Sequence, residues 1–176
     1  MKRSIGQPLR SRFDAFKLSA RNDSIAGDVD AARLSRLADR IPEGASNAMI
    51  AWQLAGGCDA QGRPALTLTL EGALPQICQR CLQPFAVKVS HRTELLLARN
   101  EAELARLDAE DAEVVLADVP LDAHTLVEDE LLLSLPFAPR HEDGTCVPSV
   151  PTAEKRDAVS PLAGLAVALR KTKAGD

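Results

Sequence analysis

The chain has 176 residues, of which 45% are hydrophobic and only 3% aromatic, with one tryptophan and no tyrosine. A domain of this size buries a core, here an aliphatic one, and a base-stacking platform of the RRM kind has almost no side chains to build it. The net charge of −4 at pH 7 argues against a simple nucleic-acid binder, and no apolar run approaches the roughly 18 residues that span a bilayer.

In chain order, "SIAGDV" (24–29) has short β character. "DAARLSRLADR" places Leu34, Leu37 and Ile41 at helical spacing and stops at Pro42, which predicts a helix. "NAMIAWQLAGG" alternates, with Ala48, Ile50, Trp52 and Leu54 pointing one way. "CDAQGR" supplies turn chemistry, and "PALTLTLEG" alternates again through Leu66, Leu68 and Leu70, so the two segments predict a hairpin. "CQRCLQPF" (78–85) comes next, then "FAVKVSHRTELLLA", with Phe85, Val87 and Val89 opposite Lys88, Ser90 and Arg92. The two cysteines of the first stretch therefore sit in the turn between amphipathic strands. "NEAELARLDAED" predicts a short helix capped by Asn100, "AEVVLADVP" one more strand, and "LDAHTLVEDELLLSLP" a helix whose Val127, Leu131 and Leu135 share a stripe.

Past Pro136 the texture changes to proline and turn residues, which predicts an ordered loop to about Cys146 and a flexible linker after it. "SPLAGLAVALRKTK" then predicts a terminal helix with Ser160 as N-cap, Pro161 in the first turn and bases in the last. The expected fold is α+β. One domain over 1–146 carries an antiparallel sheet of about five or six strands, open or barrel-like, with two or three packed helices. Residues 147–176 form a mobile tail whose helix docks weakly or only with a partner.

Cys58, Cys78, Cys81 and Cys146 are too few and too unevenly spaced for a disulfide framework. The N-terminus lacks the continuous apolar stretch of a secretory signal, so the expected location is cytoplasmic, with reduced thiols. Two thiolates at the Cys78–Cys81 spacing in a turn can bind one zinc ion together. "HEDGTC" offers His141 and Cys146 with four residues between them, which would complete one structural zinc site. The alternative is that Cys78 and Cys81 are buried small side chains, with Arg80 paired to a carboxylate. A thioredoxin-type redox pair fits less well, because Pro84 and a β pattern come after the second thiol in place of a helix.

Charge is segregated along the chain. Up to residue 21 the bases Lys2, Arg3, Arg10, Arg12, Lys17 and Arg21 face the single acid Asp14. Between 101 and 130 the only base is Arg106. Arg170, Lys171 and Lys173 make the end basic again. A phosphate contact is therefore expected from Arg10, Arg12, Arg80, Lys88, Arg92, Arg170, Lys171 and Lys173. Glu128, Asp129 and Glu130 fan over about 200° of a helix and cannot converge on one site. They read as a solvated face, or as one that docks a basic protein partner. His91 and His124 read as structural. The sequence has no Gly-rich phosphate loop, H-E-x-x-H or G-x-S-x-G from which to assign catalytic residues.

Three stretches in order, "CQRCLQPF", "VEDELLLSLPFAPRHED" and "SPLAGLAVALRK", together resemble the YceD-like family of large ribosomal RNA subunit accumulation proteins. The resemblance implies a role in 23S ribosomal RNA accumulation and large-subunit biogenesis, with precursor RNA and ribosomal or RNA-processing proteins as partners, and it brings no known reaction. The expectation is a non-enzymatic accessory factor. The alternatives are a metal-dependent RNA-processing enzyme and a pure protein–protein adaptor.

Overall fold

The computed structural model of the chain describes residues 12–42, 48–110, 112–142 and 145–146. The elements in order are β1 (Arg12–Phe13), α1 (Ala15–Arg21), β2 (Ser24–Asp30), β3 (Met49–Cys58), β4 (Pro64–Ile77), β5 (Pro84–Ala98), α2 (Glu101–Asp108), β6 (Val114–Leu116), β7 (Leu121–Asp122) and α3 (Ala123–Ser134). The expected terminal helix, with Arg170, Lys171 and Lys173, lies outside the described residues, as does Arg10.

Alternation in β3, β4 and β5 decides the centre of the fold. Trp52 pairs with Leu70, Leu54 with Leu68, and Leu68 with Thr93, so the apolar members of each strand stack on one face. Ile50, Leu54, Leu66, Leu68, Leu70 and Leu74 are fully buried there. At about 1.5–3 kcal/mol for each large aliphatic side chain, this row dominates the stability of the sheet. Onto the same face pack Ala15 and Leu18 of α1 and Leu126, Val127, Leu131 and Leu135 of α3 and its C-cap. α2 lies against the opposite face at one end, where Leu107 meets Ala65, Leu96 and Ala98.

The main sheet has the order β2-β3-β4-β5-β6, antiparallel throughout except for the parallel β5–β6 pair. It is open and not barrel-like. β6 has three residues and pairs only with β5, and the α2 crossover that delivers it makes the pairing parallel. A separate two-stranded ribbon joins β1 to β7, with Arg12 opposite Asp122.

The stretch 30–41 is not a helix. It forms two 3-10 turns, Ala31–Arg33 and Ala38–Arg40, separated by Leu34 in an extended conformation. Leu34, Leu37 and Ile41 are still buried, so the apolar spacing is satisfied by a chain that tracks the core surface instead of coiling regularly along it. α1 is an element that the sequence pattern does not announce. Asp14 caps it by accepting from the Lys17 amide at 3.0 Å, and Asn22 ends it at a φ of 48°. No helix among the described residues is long and apolar enough to cross a membrane.

Candidate metal centre

β4 and β5 are long, 14 and 15 residues, and run beyond the core to a tip formed by residues 78–83. The Cys78 amide donates to the Gln83 carbonyl at 3.0 Å and the Leu82 amide to the Cys78 carbonyl at 2.9 Å. Leu82 closes the turn at a φ of 61°, a left-handed conformation that costs a non-glycine residue about 1–2 kcal/mol. The tip therefore holds strain that something else must offset. The segment after α3 returns to it, where the Gln79 amide donates to the Pro139 carbonyl at 2.8 Å. Thr145 bonds back to the Glu142 carbonyl through its amide and its hydroxyl. His141 and Cys146 are thus both carried to the two cysteines of the tip.

The donor atoms of Cys78, Cys81, His141 and Cys146 all lie within 4.8 Å of one another. A tetrahedral zinc ion with Zn–S near 2.3 Å and Zn–N near 2.0 Å places sulfurs about 3.8 Å apart and a sulfur about 3.5 Å from the nitrogen. Cys78 Sγ is 3.7 Å from Cys146 Sγ, and Cys81 Sγ is 3.4 Å from His141 Nδ1. Two of the edges therefore already have the length such an ion demands. The His141 ring is steadied by Phe85, with centroids 4.5 Å apart.

The electrostatics point the same way. Burial pushes the Cys78 thiol up, but amide donors from Cys81, His141 and Arg80, with the His141 side chain, outweigh it and bring its pKa down to about 5. Amide donors aimed at sulfur are the surroundings a metal-bound thiolate needs. Cys146 is pushed up instead, by burial and then by Cys81 and Cys78, with Arg80 pulling the other way. The three cysteines and Phe85 form a cluster apart from the main core. Besides this small apolar cluster, the Gln79–Pro139 hydrogen bond joins the two chain segments, and the four donors could hold an ion between them. No helix comes after the cysteine pair; β5 begins at Pro84. A zinc ion held by all four donors would have the closed shell typical of structural zinc sites.

The other candidate residues are dispersed. Arg80 is half-buried and its side chain bonds toward Cys146, so it faces the thiol corner. Lys88 and Arg92 are exposed on the solvent face of β5, opposite Ala73 and Thr69. Arg12 is exposed on the separate ribbon. Glu128, Asp129 and Glu130 do not form a solvated face. Glu128 is 8% exposed and accepts from the Arg36 amide at 2.7 Å, and Asp129 lies 2.6 Å from the Arg36 guanidinium. Arg36, which nothing in the sequence singles out, holds α3 to the 3-10 segment, because those two carboxylates emerge where the segment crosses the helix. Glu128 and Glu130 are buried, and Asp129, half-exposed, is paired with Arg36.

Glu130 turns inward to His91, with Oε2 and Nε2 3.1 Å apart, beside Thr93, whose hydroxyl donates to Glu113. Burial pushes the Glu130 pKa above its ordinary value near 4.5; the His91 bond opposes this, and the charge of Glu113 adds to it. A raised carboxyl pKa favours folding at low pH, and the contribution fades as pH rises through the raised value. Glu130→Gln is therefore expected to match the parent below about pH 4.5 and to equal or exceed it in Tm at pH 7. Thermal unfolding across that range checks it, and a Tm deficit that grows with pH contradicts it.

Residues 66–166 match the family model described as Large ribosomal RNA subunit accumulation protein YceD. That span takes in the cysteine tip, α3, His141 and Cys146. No curated protein and no solved structure matches the chain.

Proposed function

The chain belongs to the family of large ribosomal RNA subunit accumulation proteins, and from that premise we propose that it is a cytoplasmic, non-enzymatic accessory factor that supports 23S ribosomal RNA accumulation by binding precursor RNA. In this reading one structural zinc ion is held by Cys78, Cys81, His141 and Cys146. The observation that carries it is the complete four-donor set. A filled shell stabilises a binding surface and offers no open coordination position for hydrolysis. The enzyme reading loses its best candidate centre on that ground.

The RNA contact is assigned to Lys88 and Arg92 on the open face of the sheet, with Arg12, Arg10 and the terminal bases Arg170, Lys171 and Lys173. Arg80 supports the metal corner from which β5 starts. These are phosphate-type contacts, so they give salt-dependent affinity and little base specificity. A ribosomal or processing protein bound to the same precursor particle would supply specificity that this chain lacks.

Purified protein titrated with precursor 23S RNA at rising salt tests the reading. Lys88→Glu with Arg92→Glu is expected to weaken binding at least tenfold at low salt. It is also expected to reduce the slope of log affinity on log salt by about one to two. Unchanged affinity contradicts the surface assignment. Specific RNA cleavage in Mg²⁺ or Zn²⁺, abolished by Cys81→Ser, contradicts the accessory reading. Ribosomal protein crosslinks in cells without RNA crosslinks would make the chain an adaptor.

A further inference from the structure

Three of the four thiols, Cys78, Cys81 and Cys146, are buried together, and Cys58 is exposed outside their cluster. Within the cluster the donors fall into two close pairs. Cys78 Sγ lies 3.7 Å from Cys146 Sγ, and Cys81 Sγ lies 3.4 Å from His141 Nδ1. Cys78 and Cys146 are 68 residues apart in sequence. The Gln79–Pro139 and Thr145–Glu142 hydrogen bonds, which involve no thiol, help to carry the second to the first. A disulfide holds its sulfurs about 2.05 Å apart. From 3.7 Å the gap closes by under about 2 Å, within the reach of side-chain rotation.

We propose that Cys78 and Cys146 are an oxidisable pair, which a hydroperoxide converts to a disulfide joining the β4–β5 tip to the segment after α3. In the first step one thiol sulfur takes an oxygen from the peroxide. The O–O bond breaks, an S–O bond forms, and an alcohol leaves, or water where the oxidant is hydrogen peroxide. In the second step the other sulfur attacks the sulfenic sulfur, the S–O bond breaks, and water leaves with the thiol proton. The two thiols together lose two electrons and two protons, and the peroxide takes both. Cys81 is the nearer competitor in sequence, but its sulfur is engaged with His141. The pair does not depend on the zinc reading. Where that ion is bound, the disulfide takes two of its four ligands and releases it. The tip then stays tied to the 139–146 segment by a covalent bond in the oxidising conditions that cost it the ion.

The test uses the full chain carrying Cys58→Ser, treated with hydrogen peroxide and digested with trypsin without reductant. Trypsin cuts after Arg80 and Arg140, so Cys78, Cys81 and Cys146 fall in three separate peptides. The peptide with Cys78 is expected to be linked to the peptide with Cys146. The intact chain is expected to be lighter by two hydrogens with no oxygen gained, and a thiol reductant to reverse both changes. Adding Cys81→Ser is expected to keep the link, and adding Cys146→Ser to lose it. A Cys78–Cys81 link, a link between two chains, or sulfinic and sulfonic acids in place of any disulfide overturn the proposal. Zinc content measured before treatment separates this inference from the metal reading. A link formed in a chain that held no zinc upholds the pair and contradicts the ion, and a zinc-loaded chain that forms no link does the opposite.

Discussion

With an ion held as proposed, Cys81→Ser is expected to lower the melting temperature by about 8–16 °C, and a strong chelator is expected to lower that of the parent by as much while leaving the variant unaffected. The size of the effect comes from linkage. An ion present at about a thousand times its dissociation constant stabilises the folded state by about 4 kcal/mol, and at this chain length each kcal/mol moves Tm by about 2–4 °C. The main core of Leu54, Leu66, Leu68, Leu70 and Leu131 makes no use of the thiols, so the domain is expected to stay folded without them. The loss falls on the corner, where Cys78, Cys81, Cys146 and Phe85 form a small cluster apart from that core. Cys58→Ser is the control, an exposed thiol outside the cluster, and is expected to leave Tm unchanged. Equal losses from both serine variants would show that the effect is not the site's.

The second large effect is expected where α1 crosses β3. A Cβ on Gly56 would lie 2.2 Å from the Leu18 carbonyl oxygen and 2.5 Å from the Ser19 nitrogen. Both are backbone atoms, so no side chain can turn aside and the helix itself must lift. Its anchors would go with it, since the Ser19 hydroxyl donates to the Gly57 carbonyl at 2.6 Å and Leu18 is buried. Gly56→Ala is expected to cost about 3 kcal/mol, the upper range for overpacking, or about 6–12 °C in Tm. The next residue is the internal comparison. A Cβ on Gly57 would meet nothing closer than the Asn22 side-chain oxygen at 4.0 Å, and Gly57→Ala should shift Tm by no more than about 2 °C. Two glycines one residue apart should thus give opposite outcomes, and similar Tm changes would mean that α1 does not pack as described.

Both effects also show which parts of the fold the sequence carries openly. The strands β3, β4 and β5 are read from alternation because burial on one face imposes a period of two over ten or more residues. α1 hides because only Ala15, Leu18 and Ser19 of its seven residues are buried, too few to establish a period. Residues 31–40 mislead because spacings of three and four suit two 3-10 turns as well as an α-helix. β6 is legible as a strand but not as a parallel one, since three residues do not encode their partner. At the candidate site, the chemistry of Cys78, Cys81, His141 and Cys146 is visible as residue types with ligand spacing. The support they receive is not. Pro139 and Phe85 carry no signal of their contacts with Gln79 and His141. The acidic run 128–130 reads as a surface because acids usually are; Arg36 and His91, distant in sequence, are what make burial of Glu128 and Glu130 tolerable.

The most direct measurement is the metal content of the purified full-length chain by elemental analysis, with and without Cys81→Ser. One zinc per chain is expected in the parent and about none in the variant, because loss of one thiolate from a Cys3His set removes the charge and geometry that select the ion. A parent free of zinc after purification without chelator, and still free after zinc is added back and excess removed, would contradict the account.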